Sequence, residues 1–226
     1  MNRRFMRNST LIPQDKLKDI EVIGLGGTGS AVIMGASLMG FKHIKAWDND
    51  IFSEHNGSTT LYPPDSVGQP KAKLAEQTCE KYGTPSYEMK QAHWTPEDGI
   101  GPRVIITVDD MEVRKEIYKI WKANNDRDWL IDLRMGALSY EVITVCKDND
   151  NYMDYWKPSA EIQEEVCTAK HTIFTAFAVA SAGLAQTHKM VIKTVYNEYV
   201  WCGLDMMQMI TKKLTIPKQA DVNIVS

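Results

Sequence analysis

The stretch Ile20-Glu21-Val22-Ile23-Gly24-Leu25-Gly26-Gly27-Thr28-Gly29-Ser30 decides the reading of this chain. Ile20 to Leu25 is a short apolar run ending in glycines, which reads as a buried strand. Gly29 to Met39 is small and apolar and reads as a helix. Between them Gly24, Gly26 and Gly29 fit G-x-G-x-x-G. One glycine permits a tight turn, a second lets phosphate approach the backbone, and a third lets helix pack on strand. The helix start then offers free N–H groups and partial positive charge to an anion. Asp48, about 20 residues on and just past a second strand at His43 to Trp47, stands where an acid accepts from ribose hydroxyls. The plain alternative is a tight turn that holds nothing. The strand before, the helix after and the spaced acid together favour a nucleotide, and taken alone they point to NAD.

Outward from this turn, strand and helix signals alternate. Lys71 to Tyr82 reads as a helix with Gly83 as its stop, and Met111 to Ala123 as an amphipathic helix. Tyr87 to Gln91, Val104 to Val108 and Trp129 to Leu133 read as strands. This rhythm predicts an α/β fold of Rossmann type, a doubly wound and mostly parallel sheet with helices on both faces. Tyr140 to Cys146 and β-like pieces in Tyr196 to Ile216 predict a C-terminal mixed or antiparallel extension. Lys170 to Met190 is the longest helix pattern. Ser53 to Gly68, with Pro63 and Pro64, reads as a long loop, and loops of that length are functional or mobile. Met206, Met207 and Met209 read as core or dimer packing. Residues 1–18 read as an N-terminal arm and 19–226 as one domain.

Composition narrows the class. The net charge is −3 over 226 residues, and no face or tail concentrates Lys and Arg, so nucleic acid is not an expected partner. No apolar run reaches the length of a membrane span. The basic N-terminus lacks the apolar core of a signal peptide. Cys79, Cys146, Cys167 and Cys202 form no C-x-x-C pair, which predicts reduced thiols in a cytoplasm and no zinc site. None of His43, His55, His93, His171 and His188 pairs at metal spacing; His55 and His93 lie in loops.

Further residues shift the reading from NAD to ATP. The turn carries an extra glycine and a serine, G-x-G-G-x-G-S. Asp48-Asn49-Asp50 is followed by Asn56, then by Gly68-Gln69-Pro70-Lys71. Asp109-Asp110 closes the strand at Val104 to Val108, with Arg114 a turn later. In order and spacing these elements resemble the ThiF/MoeB family of adenylyltransferases, which includes the adenylation domains of ubiquitin-activating enzymes. The resemblance is strong over Ile20 to Arg114 and weaker beyond. It implies a ThiF-like ATP-binding domain over 19–226 that adenylates a carboxylate, the C-terminus of a ubiquitin-like or sulfur-carrier protein or of a peptide, as a homodimer. By that resemblance Gly24, Gly26, Gly27, Thr28 and Gly29 would cradle the ATP phosphates. Asp48 would hold the ribose. Asn56 and Lys71 would contact the phosphates, with Asp50 and Asp110 in the same nucleotide-contacting set. Asp109 would sit at the Mg2+ ion and the α-phosphate. Read from the residues alone, Asp109 could instead cap the helix at Met111. Lys71 at a helix start opposes the helix dipole, so an anion nearby would account for it.

One departure matters. Where the family places an arginine followed by glutamine, this chain has Thr59 and Thr60. A phosphate-stabilising arginine is worth about 10³–10⁵ in phosphoryl-transfer rate. Arg4-Phe5-Met6-Arg7 resembles the R-Y-x-R segment near the start of MoeB-type members, whose second arginine reaches the partner subunit's site; Arg7 would then act across a dimer. Arg134 is a second candidate replacement cation. Cys167 falls near the loop in which some members carry a reactive cysteine, and a small buried hydrophobe is its plain alternative. Two other functions stay open. One is a catalytically weakened or silent relative that binds a partner protein; the other is an NAD-dependent oxidoreductase, which leaves Gly68 to Lys71 without a role.

Overall fold

A computed structural model describes residues 3–158 and 172–215 of the chain. The elements follow as β1 (Ile20–Ile23), α1 (Gly27–Met39), β2 (His43–Trp47), α2 (Lys71–Lys81), β3 (Ser86–Lys90), β4 (Arg103–Ile106), α3 (Met111–Ala123), β5 (Trp129–Met135), β6 (Ser139–Cys146), α4 (Ile173–Val191), β7 (Tyr196–Gly203) and β8 (Gln208–Thr215). They build one eight-stranded sheet in the order β3-β2-β1-β4-β5-β6-β7-β8. From β3 to β5 every pairing is parallel. From β5 to β8 every pairing is antiparallel. The chain leaves β1 toward β2 and later returns to the other side of β1 as β4. That reversal opens a crevice at the C-terminal ends of β1 and β4, where open α/β sheets bind ligands.

The central parallel strands β1, β4 and β5 are mostly apolar and buried because both of their faces are covered, whereas the edge strand β3 is Ser-Tyr-Glu-Met-Lys with no buried residue. On one face Val22, Ile44, Ile105 and Ile131 pack with residues of α1, α2 and α4. On the other face Ile23, Val104, Ile106 and Leu130 pack with Ile117, Tyr118 and Trp121 of α3. Helix α4 lies close to β5, since a Cβ at Gly183 would stand 2.6 Å from Leu133. Helix α3 is the clearest amphipath. It buries Met111, Arg114, Ile117, Tyr118 and Trp121, spaced at helical intervals.

Several boundaries differ from the sequence reading. Helix α1 begins at Gly27 rather than Gly29, because the turn itself supplies its first residues. Helix α4 begins at Ile173, where the Thr172 side chain accepts from the Thr175 N–H and so caps it. The loop Ser53 to Gly68 is built up by short 3₁₀ turns at Glu54–Asn56 and Pro64–Ser66. It also buries Phe52 and Tyr62, whose rings meet edge to face 5.7 Å apart. Met206, Met207 and Met209 are exposed around the β7–β8 hairpin, so they are not core. Among the described residues β8 is an edge of the sheet, and its Lys212 and Lys213 discourage edge-to-edge pairing.

A charged cluster is buried under the end of β5. Asp132 is fully buried and pairs with both Arg114 and Arg134. The Tyr152 hydroxyl donates to it at 2.9 Å. Burial alone would raise the Asp132 carboxyl, but the guanidiniums of Arg114 and Arg134 outweigh it and hold the group below the usual range. Its contribution to stability is therefore present above the ordinary carboxyl pKa and fades as pH falls through the lowered folded value. Asp132→Ala leaves buried guanidiniums uncompensated, and it should destabilise the fold by about 3–5 kcal/mol in urea titrations near neutral pH. Asp132→Asn should lose less further stability on acidification than the parent. An unchanged acid limb would show that another carboxylate governs it.

Candidate functional site

The glycine turn is held by backbone geometry. Gly24 has φ 102°, and a Cβ there would stand 2.9 Å from the Val108 N. A Cβ at Gly29 would strike the Gly24 carbonyl. Only glycine lets α1 start this close to the end of β1. Thr107 reinforces the contact, its hydroxyl donating to the Gly24 carbonyl at 2.7 Å. On the other side the buried Tyr62 hydroxyl donates to the Leu25 carbonyl at 2.9 Å. Neither Thr107 nor Tyr62 stood out in the sequence: one sat inside an apolar run and the other in a polar loop.

The first turn of α1 is left open. Its N-cap is Gly26, which offers no side chain to the N–H groups that follow. A Cβ on Gly26 would meet nothing within 4 Å. Uncapped donors, a helix dipole and free space fit a phosphate chain. Thr28, also expected in this cradle, is buried, and its hydroxyl points at the Met135 sulfur 3.8 Å away. From Thr28 a phosphate would therefore take the backbone N–H.

Asp48 lies at the end of β2 beside this cradle. Its carboxylate accepts from the Leu25 N–H at 2.6 Å and from the Asp50 N–H at 2.8 Å. Burial raises its carboxyl above the ordinary value, and those two N–H groups and Lys71 partly offset the rise. Asp50 binds the Lys71 ammonium at 2.7 Å, with Lys71 itself buried. The anion that accounts for a lysine at the start of α2 is therefore Asp50. The segment after β2 is stitched to the start of α2: the Lys71 N–H donates to the Asp50 carbonyl at 2.9 Å, and Phe52 N–H to Gln69 at 2.8 Å. This stitching is what Gly68-Gln69-Pro70-Lys71 achieves.

The remaining predicted site residues divide. Asn56 turns its side-chain oxygen to Ser53, whose hydroxyl donates at 2.9 Å, and so closes a local capping box. The cap of α3 is Asp110, which accepts from the Glu112 N–H at 2.7 Å and the Val113 N–H at 3.1 Å. Capping therefore falls to Asp110 and not to its neighbour. Asp109 is exposed and makes no hydrogen bond or ion pair among the described residues. Thr59 stands over the turn, its carbonyl oxygen 2.7 Å from where a Gly27 Cβ would be. The cradle thus meets a neutral residue where a charged one was expected.

The candidate replacement cations are placed apart. Arg134 is held by Asp132 at 2.8 Å and donates to the Tyr155 carbonyl at 2.8 Å. Arg114 is anchored to Asp132 and to the Val108 carbonyl, beneath the strand end that carries Asp109. The N-terminal arm lies against the opposite ends of α1 and α2. Arg4 donates there to carbonyls of Ser37, Tyr82 and Gly83. Arg7 is exposed and makes no ion pair among the described residues, far from its own glycine turn. Cys167 lies outside the described residues. Among those residues no group of three or more His, Cys, Asp or Glu could hold a metal ion, and no helix is long and apolar enough to cross a membrane.

This architecture has solved counterparts. The structure of E. coli MccB with selenomethionine MccA superposes with a TM-score of 0.75 at 15% identity, over 97% of this chain and 74% of that one. The structure of PaaA gives 0.74 at 16% identity, over 91% of this chain and 67% of that one. E. coli MccB with ATP gives 0.74 at 15% identity, over 98% and 74%. At such identities the likeness concerns the fold. No curated protein matches the sequence. The model of the ThiF family does match it, over residues 5–221. That span includes most of the arm, the glycine turn, Lys71, Asp109 and both halves of the sheet, and on it this chain belongs to the ThiF family.

Proposed function

We propose that this chain adenylates a carboxylate at the C-terminus of a protein or peptide, using ATP and Mg2+. The observation that carries the reading is the uncapped start of α1 at the sheet's switch point, with Asp48 on one side and the unpaired Asp109 on the other. Membership in the ThiF family and a solved fold neighbour bound to ATP support the choice of nucleotide over NAD. The reaction joins a carboxylate oxygen to the α-phosphorus and breaks the bond to the departing pyrophosphate. No proton need move in that exchange, so positioning and charge dominate.

Each residue would act within its present geometry. N–H groups of Gly27, Thr28 and Gly29 would receive phosphate oxygens. Asp48 already accepts from two backbone N–H groups and has room for a ribose hydroxyl as a further donor. Lys71 would share its ammonium between Asp50 and phosphate. Mg2+ in such sites takes one or two carboxylates and completes its shell with phosphate and water. Asp109 fits as that carboxylate, and the ion would neutralise phosphate charge.

The cation missing at Thr59 has its best replacement in Arg7 of a partner subunit. Lys71, Arg114 and Arg134 are each already paired with a carboxylate. Thr59 also favours a second reading, in which the chain is a silent relative that binds a partner protein without chemistry. ATP–pyrophosphate exchange with candidate carboxylates separates the two.

Asp109→Ala should abolish magnesium-dependent exchange and leave the melting temperature unchanged, since the exposed side chain makes no hydrogen bond or ion pair among the described residues. Exchange equal to the parent's would remove the metal role. Asp48→Ala should weaken ATP binding by about 1–3 kcal/mol in calorimetry, with a smaller loss for inorganic tripolyphosphate. Equal losses would show that Asp48 does not read the ribose. Arg7→Ala should lower exchange on the order of a thousandfold. Mixing Arg7→Ala chains with Lys71→Ala chains should restore part of it, because one site of each mixed dimer keeps both residues. No restoration would overturn the cross-subunit arginine.

A further inference from the structure

Tyr62 belongs to the polar loop of Ser53 to Gly68, yet its side chain is buried and packs in a small core with Phe52 and Leu74. Its hydroxyl serves one backbone atom, the Leu25 carbonyl, at 2.9 Å. Burial, and after it the Asp48 carboxylate, push the phenol well above its ordinary range. The group therefore stays an O–H donor at neutral pH. Phenylalanine would fill the same space, so packing alone does not account for the hydroxyl.

The same loop covers one side of the glycine turn. The Leu61 N–H donates to the Ser30 hydroxyl at 3.2 Å, and that hydroxyl donates to the Gly27 carbonyl at 2.9 Å. The Thr59 carbonyl closes over Gly27. Gly26 and Gly27 are nevertheless half-exposed, and a Cβ on Gly26 would meet nothing within 4 Å. The turn thus opens on the side away from the loop.

Two peptide planes meet at the buried Leu25, and a different side chain fixes each. Asp48 accepts from the Leu25 N–H at 2.6 Å and fixes the plane shared with Gly24. Tyr62 fixes the plane shared with Gly26 through its carbonyl. No peptide bond among the described residues is cis, and in a trans peptide the C=O and N–H point in opposite directions. A carbonyl turned to Tyr62 therefore turns the Gly26 N–H to the open side. That N–H makes no hydrogen bond among the described residues. Glycine at position 26 makes the hold necessary. Turning the plane over would take the Gly26 φ from −72° to about +110°, which glycine alone adopts readily. The overturned plane would offer an incoming anion a carbonyl oxygen in place of a donor.

We propose that Tyr62 is a positioning residue for phosphate: by holding the Leu25 carbonyl it keeps the Gly26 N–H in the anion cradle and prevents the flip that would put an oxygen there. Tyr62 acts through the backbone and touches no ligand itself. The inference rests on the nucleotide-binding part of the adenylation reading and on none of its chemistry.

Calorimetry of the full chain with inorganic tripolyphosphate, which has neither ribose nor base, isolates phosphate recognition. Tyr62→Phe keeps the ring and removes only the hydroxyl. It should weaken tripolyphosphate and ATP by the same factor, about ten- to a hundredfold, the range for one hydrogen bond to a charged group. Asp48→Ala, by contrast, should cost ATP more than tripolyphosphate. Phe52→Leu loosens the same small core and keeps the hydroxyl. It should lower the melting temperature and leave tripolyphosphate affinity near the parent's. In amide NMR spectra of the parent, tripolyphosphate should move the Gly26 signal downfield along with those of Gly27, Thr28 and Gly29. This last readout needs no substitution. Parent-like affinity in folded Tyr62→Phe, an equal loss in Phe52→Leu, a Gly26 amide that ignores the ligand, or a parent that binds no tripolyphosphate would each overturn the assignment. A parent that binds as described but exchanges no pyrophosphate would keep the role of Tyr62 and overturn the adenylation reading instead.

Discussion

No side chain fits between Gly29 and the carbonyl of Gly24, and the rest of the structure depends on that contact. It lets α1 begin on the end of β1 with only Gly26 as its cap. A side-chain cap would stabilise the helix by roughly 1 kcal/mol. Forgoing it leaves donors available to something outside the chain. The surrounding hydrogen bonds from Thr107, Tyr62 and the Leu25 N–H hold the backbone so that those donors stay in place.

Charges around the turn are distributed in a consistent way. Cations near it are already balanced by carboxylates: Lys71 by Asp50, Arg114 and Arg134 by Asp132. Asp109 makes no ion pair among the described residues. A carboxylate without a cation beside a phosphate cradle suits a metal ion. An exposed arginine on an arm suits an anion elsewhere.

Much of this was legible in the sequence. The parallel half of the sheet was read from β1, β2 and β4, whose apolar runs have a single plausible burial. The glycine turn and Asp48 were read from spacing, because a tight strand-to-helix turn demands glycine at fixed intervals. Local partners were harder. Whether Asp109 or Asp110 caps α3 depends on one residue of backbone phase, which spacing does not set. The oxygen of Asn56 serves Ser53 in a short-range box, a partner that spacing alone does not reveal. The dipole argument at Lys71 asks for an anion nearby without saying which, and Asp50 supplies one across the loop. Tyr62 could have been found from its place after the Thr59-Thr60 pair only by knowing that the loop folds back on Leu25. Met206, Met207 and Met209 read as core or dimer packing, and their exposure at the β7–β8 turn and the start of β8 excludes the first of these.

A crystal structure of the protein with ATP and Mg2+ tests the central claim most directly. The account predicts phosphate oxygens on the N–H groups of Gly27, Thr28 and Gly29, the ribose at Asp48 and the metal at Asp109. Nucleotide bound away from the start of α1, or phosphates there with the metal held by residues other than Asp109, would contradict it.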